Sequence, residues 1–189
     1  MVFKFEGRCK MEDKFIFAIG IFDDDTNIKF NMIKNELRLN GIDIGDIPPH
    51  ITFAGYVDID EKKLCKWVEE FSMNNRQIDI RFSNMGLFGL KTVFLSPYVS
   101  KELKEFHRRF HAKYDDMCGQ IGLNYALKGN GWIPHATIIT SEEETILKAL
   151  PIINRMFEPF TARIKSIELY ELFPVRKIGA FNLMDKLSS

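Results

Sequence analysis

The sequence predicts an α+β fold: two pseudo-symmetric lobes, each a mainly antiparallel sheet with helices packed outside, and a cleft between them. Three observations carry this expectation. Apolar runs of strand length alternate with segments of helical period along the 189 residues. Some strand-like runs follow one another with no helix between them, which points to antiparallel pairing. A short phrase, Pro-His-apolar-Thr-apolar, is written twice, as PHITF at 49–53 and PHATI at 134–138.

Each element has its own signal. After a mobile start, FIFAIGIF at 15–22 reads as a buried strand, and the cluster Asp23-Asp24-Asp25-Thr26 supplies a turn and an N-cap. A helix to about Leu39 is closed by Asn40-Gly41. The first phrase opens a strand over 51–57. Asp60 then caps a helix whose Leu64, Trp67, Val68 and Phe71 fall at helical spacing. Strands at 78–82 and 93–95 are joined by the glycine-containing stretch 86–89. A helix over 100–118 carries Leu103, Phe106, Phe110, Tyr114 and Met117 on one face, and a glycine-rich loop over 119–131 leads to the second phrase. Ser141 with Glu144 reads as a capping box for another helix. Two long strands, 160–172 and 175–184, turn at Pro174 and finish the chain. No linker divides it, so 1–189 is read as one bilobal domain with repeat halves of roughly 14–95 and 96–189.

Composition limits what such a domain can do. Hydrophobic residues make up 46% of the chain and include 17 Phe, which excludes disorder. Basic and acidic residues balance at 26 each. The molecule therefore lacks the overall field that long nucleic acids or anionic membranes attract, and a small nucleotide or short RNA end suits it better. The three cysteines, Cys9, Cys65 and Cys118, form no CxxC pair and read as free thiols in a reducing compartment. With no signal-like apolar core near the start and no run long enough for a membrane span, a cytoplasmic monomer without membrane contact is expected.

The repeated phrase has a physical reading. Successive side chains of a strand point to opposite faces, so His50 projects with Thr52, and His135 with Thr137, while the intervening apolar residues point inward. Pro49 and Pro134 lack an N–H, which suits the start of a strand and leaves each histidine near solvent. The alternative is two unrelated strands that each carry a surface His and Thr. If the lobes face each other, two imidazoles and two hydroxyls line one cleft. Two histidines near pKa ~6.5 can hold opposite protonation states at neutral pH, one accepting a proton while the other donates. In-line displacement at phosphorus needs such a pair, with neutral donors on the non-bridging oxygens. The scheme requires no metal and no cofactor, and no good metal-ligand box is present.

These two H-x-T-apolar phrases resemble those of the two-histidine (2H) phosphoesterase superfamily, in particular its bacterial 2′-5′ RNA ligase-like branch. The resemblance implies a bilobal fold and hydrolysis of 2′,3′-cyclic phosphates of nucleotides or RNA ends, with reversible 2′-5′ ligation in some members. His50, Thr52, His135 and Thr137 match the catalytic positions; by the same resemblance His135 is the base and His50 the acid. Phe88, Lys91 and Phe94 sit where relatives place substrate-contacting residues, and Phe181 stands where many have a Tyr. Two other readings stay open: a module that binds RNA ends without turnover, and a phosphodiesterase for a small nucleotide such as an ADP-ribose cyclic phosphate.

The remaining candidates come from the residues themselves. Trp132, close before His135, is either a platform for a nucleobase or a partly buried loop anchor. Arg176 is a candidate for a terminal phosphate, weighed against a plain surface arginine. His107 and His111 have metal-ligand spacing, but Arg108 stands where a metalloprotease has its glutamate, so they read as a partly solvated helix face. Lys101, Lys104, Arg108, Arg109 and Lys113 read as a solvated basic face.

Overall fold

The computed structural model describes residues 14–185 apart from 46, 130 and 173, and apart from the side chains of 120 and 121. Cys9 and the expected mobile start lie outside the described residues. The strand Phe15–Phe22 (β1) ends at Asp23, whose carboxylate accepts from the Thr26 amide at 3.1 Å and caps Asp24–Leu39 (α1). Gly41 makes the left-handed step after that helix, at φ 75°. There follow His50–Val57 (β2), Glu61–Met73 (α2), Ile78–Phe88 (β3), Thr92–Pro97 (β4) and Lys101–Phe110 (α3). A 3₁₀ turn at Asp115–Met117 and a single helical turn at Gly119–Gly122 (α4) lead to Ala136–Thr140 (β5), Glu143–Met156 (α5), Phe160–Leu172 (β6) and Arg176–Asn182 (β7).

Three elements differ from the sequence expectation. The helix begun by the Ser100 cap stops at Phe110, not Cys118, because the buried His111 ring takes a carbonyl of β2 and the chain turns there. The capping box at Ser141 does not form: the Ser141 N–H bonds the Lys91 carbonyl at 2.9 Å, and Glu142 becomes the N-cap without a side-chain bond. Strand β3 runs through Gly86 to Phe88. A Cβ at Gly86 would lie 2.4 Å from the Phe94 ring, so glycine here admits an aromatic ring across the ladder and does not mark a loop.

The α+β class is observed, with the named strands paired antiparallel in one seven-stranded sheet of order β2-β1-β6-β3-β4-β5 and β7 beside β6. Strand β6 links the two parts of this sheet. Its first residues, from Phe160 to Ile164, pair with β3, and its remainder lies between β1 and β7. Phe22 of β1 stacks on Phe30 of α1 at 5.7 Å, and Phe82 of β3 meets both edge-on at 5.6 and 5.5 Å, packing α1 onto the sheet. Strands β2 and β5 end the path yet approach each other, bridged by Trp132 Nε1 donating to the Thr52 carbonyl at 3.0 Å. Sheet curvature thus brings the two phrases together. Among the described residues no helix is long and apolar enough to cross a membrane.

Candidate active site

His50 opens β2 and His135 stands immediately before β5. His50 and Thr52 are half-buried while Ile51 and Phe53 are fully buried; His135 and Thr137 are half-buried while Ala136 and Ile138 are buried. Each phrase ends in a bulge. The β1–β2 register passes from Ala18↔Ala54 to Ile19↔Thr52 and skips Phe53; the β4–β5 register passes from Val93↔Ile139 to Phe94↔Thr137 and skips Ile138. An extra residue directly after each threonine bends and twists the strand, which aims the His-Thr pair out of the ladder.

The rings are held alike. His50 Nδ1 bonds the Pro48 carbonyl at 2.8 Å, and His135 Nδ1 bonds the Ile133 carbonyl at 2.8 Å. A carbonyl only accepts, so each Nδ1 carries a hydrogen and each Nε2 is left for chemistry. Burial lowers both imidazoles below their ordinary pKa, while the carbonyl bonds oppose it. His50 is lowered further by charge on His135 and on Lys34, which places both cationic groups in its field. Charge on His135 therefore disfavours charge on His50.

The sequence-named ligand candidates divide. Phe88 meets the His135 ring edge-on at 4.8 Å and packs on Phe94 at 4.3 Å, yet is 40% exposed and so presents aromatic surface beside the imidazole. Trp132 takes the anchor role. His107 stacks on its ring at 3.9 Å with planes 4° apart, Phe53 packs against it at 5.8 Å, and its N–H holds β2. Lys91 is exposed in a turn that meets the Thr140 end of β5, not the His135 end. Arg176 does not join the site: it pairs with Glu61 and Glu171 at 2.6 Å each, at the Val57 end of the sheet. Phe181 pairs with Ile167, which aligns through Gly20 with Ile51, so it lies on the face opposite Thr52. A tyrosine does share the face of Thr52. It is Tyr170 on β6, which donates to Glu168 at 2.8 Å.

Two contributors were missed in the sequence. Lys34 is 5% exposed, and its ammonium donates to the Ile47 carbonyl at 2.8 Å, bracing the segment that enters β2. Its signal was a lysine on the apolar stripe of Phe30, Ile33 and Leu37. Tyr125, half-buried, lies close to the Thr52 side chain.

The expectation of a solvated face for His107 and His111 is overturned: they are 4% and 1% exposed. Both fall within the buried stripe of Leu103, Phe106 and Phe110, and each satisfies Nε2 on a backbone carbonyl, His107 on Tyr125 at 2.7 Å and His111 on Phe53 at 2.9 Å. The basic residues of α3 are exposed, as expected. Of the expected free thiols, Cys118 is buried and Cys65 half-buried. Burial and the Asp115 carboxylate push the Cys118 thiol up to about 12.

Burial, with the neighbouring His111, lowers His107 to about 4. The folded state then binds fewer protons than the unfolded one. The stability that depends on neutral His107 is complete above about pH 6.5 and is lost as pH falls from there towards 4, by on the order of 3 kcal/mol. Urea unfolding at stepped pH should show that slope in the native chain and a flatter one in His107→Gln, whose amide can still donate to Tyr125. Equal slopes would mean that His107 is not held neutral.

Paired His-x-Thr strands meeting across a curved antiparallel sheet, with like-held imidazoles, are the architecture of the two-histidine phosphoesterases. Residues 29–172 match the model of the 2′-5′ RNA ligase superfamily, and the chain belongs to that family. No curated protein matches the sequence. The fold is similar to the crystal structure of TT0787 from Thermus thermophilus, with TM-score 0.60 and 10% identity over 92% of this chain and 100% of that one. It is also similar to E. coli LigT in apo form, with TM-score 0.58 and 12% identity over 91% and 98%. LigT complexed with 3′-AMP matches at TM-score 0.56 and 12% identity over 90% and 98%.

Proposed function

We propose that this chain is a phosphodiesterase that opens 2′,3′-cyclic phosphates of nucleotides or RNA ends, using His50, Thr52, His135 and Thr137. The observation that carries this reading is the matched hold on the two rings, each locked through Nδ1 to the carbonyl two residues earlier so that Nε2 remains for proton transfer. In the proposed reaction His135 Nε2 takes a proton from water as the water oxygen attacks phosphorus. The bond from phosphorus to the ribose 3′ oxygen breaks, and imidazolium His50 gives its Nε2 proton to that oxygen, leaving a 2′-phosphate. The Thr52 and Thr137 hydroxyls donate to the non-bridging oxygens. Burial disfavours the required imidazolium in the free protein, and the phosphate anion offsets this on binding. With a ribose 5′-hydroxyl attacking in place of water, the same displacement would form a 2′-5′ linkage as the 3′ oxygen leaves, and its reverse, attack of the 3′-hydroxyl with the 5′ oxygen leaving, would cleave one and close the cyclic phosphate.

Charge balance favours a short substrate, Phe88 presents aromatic surface for a base beside His135, and 3′-AMP in LigT makes nucleotides the first ligands to try. The test is incubation with 2′,3′-cyclic nucleotides, 2′-5′ dinucleotides and cyclic-ended oligomers, with products separated by chromatography. A 2′-phosphate product is expected. Tight binding across the panel with no turnover would leave an RNA-end binding module in its place.

A further inference from the structure

Away from the two motif imidazoles, three donors of different chemistry converge against β2. His111 Nδ1, an Asp115 carboxylate oxygen and Cys118 Sγ lie within 4.8 Å of one another. Nδ1 is 2.9 Å from Asp115 Oδ1 and 3.9 Å from Cys118 Sγ. His111 and Cys118 are each 1% exposed, and the Asp115 side chain is 13% exposed. The other ring nitrogen, Nε2, donates to the carbonyl of Phe53, the bulged residue of β2. A neutral ring bound in that way has its lone pair on Nδ1, facing a carboxylate that also only accepts. Two acceptors at hydrogen-bond distance need positive charge between them.

A second observation comes from the strand itself. The Tyr56 hydroxyl is fully buried and, among the described residues, has no hydrogen-bond partner, and its electrostatic neighbours include Cys118 and Asp115. A buried hydroxyl without a partner is costly, and two of the three donors, Cys118 and Asp115, act on it electrostatically. We propose that His111, Asp115 and Cys118 bind a divalent transition-metal ion of the zinc class, with the Tyr56 hydroxyl facing its fourth position. One nitrogen, one oxygen and one sulfur are the donor set of such an ion, and a backbone carbonyl on the far nitrogen is how a metal-bound imidazole is usually oriented. On binding, the thiol loses its proton to solvent and the ion takes its place. The ion fastens the segment after α3 to the strand that carries His50 and Thr52. Its role is structural, and it touches no substrate.

Cobalt(II) titration of the chelator-stripped full chain tests this directly. One equivalent should bind, with tetrahedral visible bands and a near-ultraviolet thiolate-to-cobalt charge-transfer band. Zinc(II) should displace the cobalt and, at about hundred-fold excess over its Kd, raise Tm by on the order of 5–10 °C. Cys118→Ser should abolish the charge-transfer band, Asp115→Asn should weaken binding at least ten-fold, and His50→Ala should change neither; near-ultraviolet circular dichroism checks that each variant is folded. Absence of the band in the native chain, its survival in Cys118→Ser, or its loss in His50→Ala overturns the site. These readouts are spectroscopic and stand whether or not cyclic phosphates are turned over.

Discussion

Replacing His50 or His135 with alanine should lower kcat by about 10²–10⁴, with much smaller changes in KM, because each removes one proton-transfer partner and leaves most substrate contacts in place. The double variant should fall far short of the product of the single losses, since the two rings serve one displacement step. The roles separate with a substrate whose leaving group needs no protonation. That substrate should largely restore His50→Ala, the acid variant, and leave His135→Ala impaired. Restoration of the opposite variant would exchange the roles, and full activity in both single variants would remove the phrases from catalysis.

Thr52→Val and Thr137→Val should each lower kcat and kcat/KM together by on the order of 10², approaching the lower range for loss of one preorganised donor to a developing oxyanion. Valine keeps the β-branched shape and the strand preference, so β2 and β5 should persist. A rise in KM with kcat unchanged would instead assign the hydroxyls to ground-state binding.

Much of this was legible in the sequence because it is local. FIFAIGIF became β1, and Asp23, Asp60 and Ser100 cap their helices as their residue types suggest. The strand period put each His with its Thr on one face. What the sequence did not show depends on register and on long-range contact. The bulges at Phe53 and Ile138 arise from pairing with β1 and β4, and no local pattern marks them. Strands β2 and β5 meet because the sheet curves, although they end its path. His107 and His111 read as polar by composition, yet each buries its ring by bonding a carbonyl many residues away. Arg176 was free to meet a phosphate until folding placed Glu61 beside it.

The central claim is that the two phrases form one acid-base pair, and the pH dependence of kcat/KM tests it most directly. This quantity reports the free protein, in which burial lowers both imidazoles and charge on His135 lowers His50 further. One ring must be neutral and the other charged, so the profile should be a bell with its apex on the acid side of pH ~6.5. His135→Ala should erase the limb that falls towards acid, and His50→Ala the limb that falls towards base. A native profile without a bell, or a bell unchanged in both variants, would contradict the account.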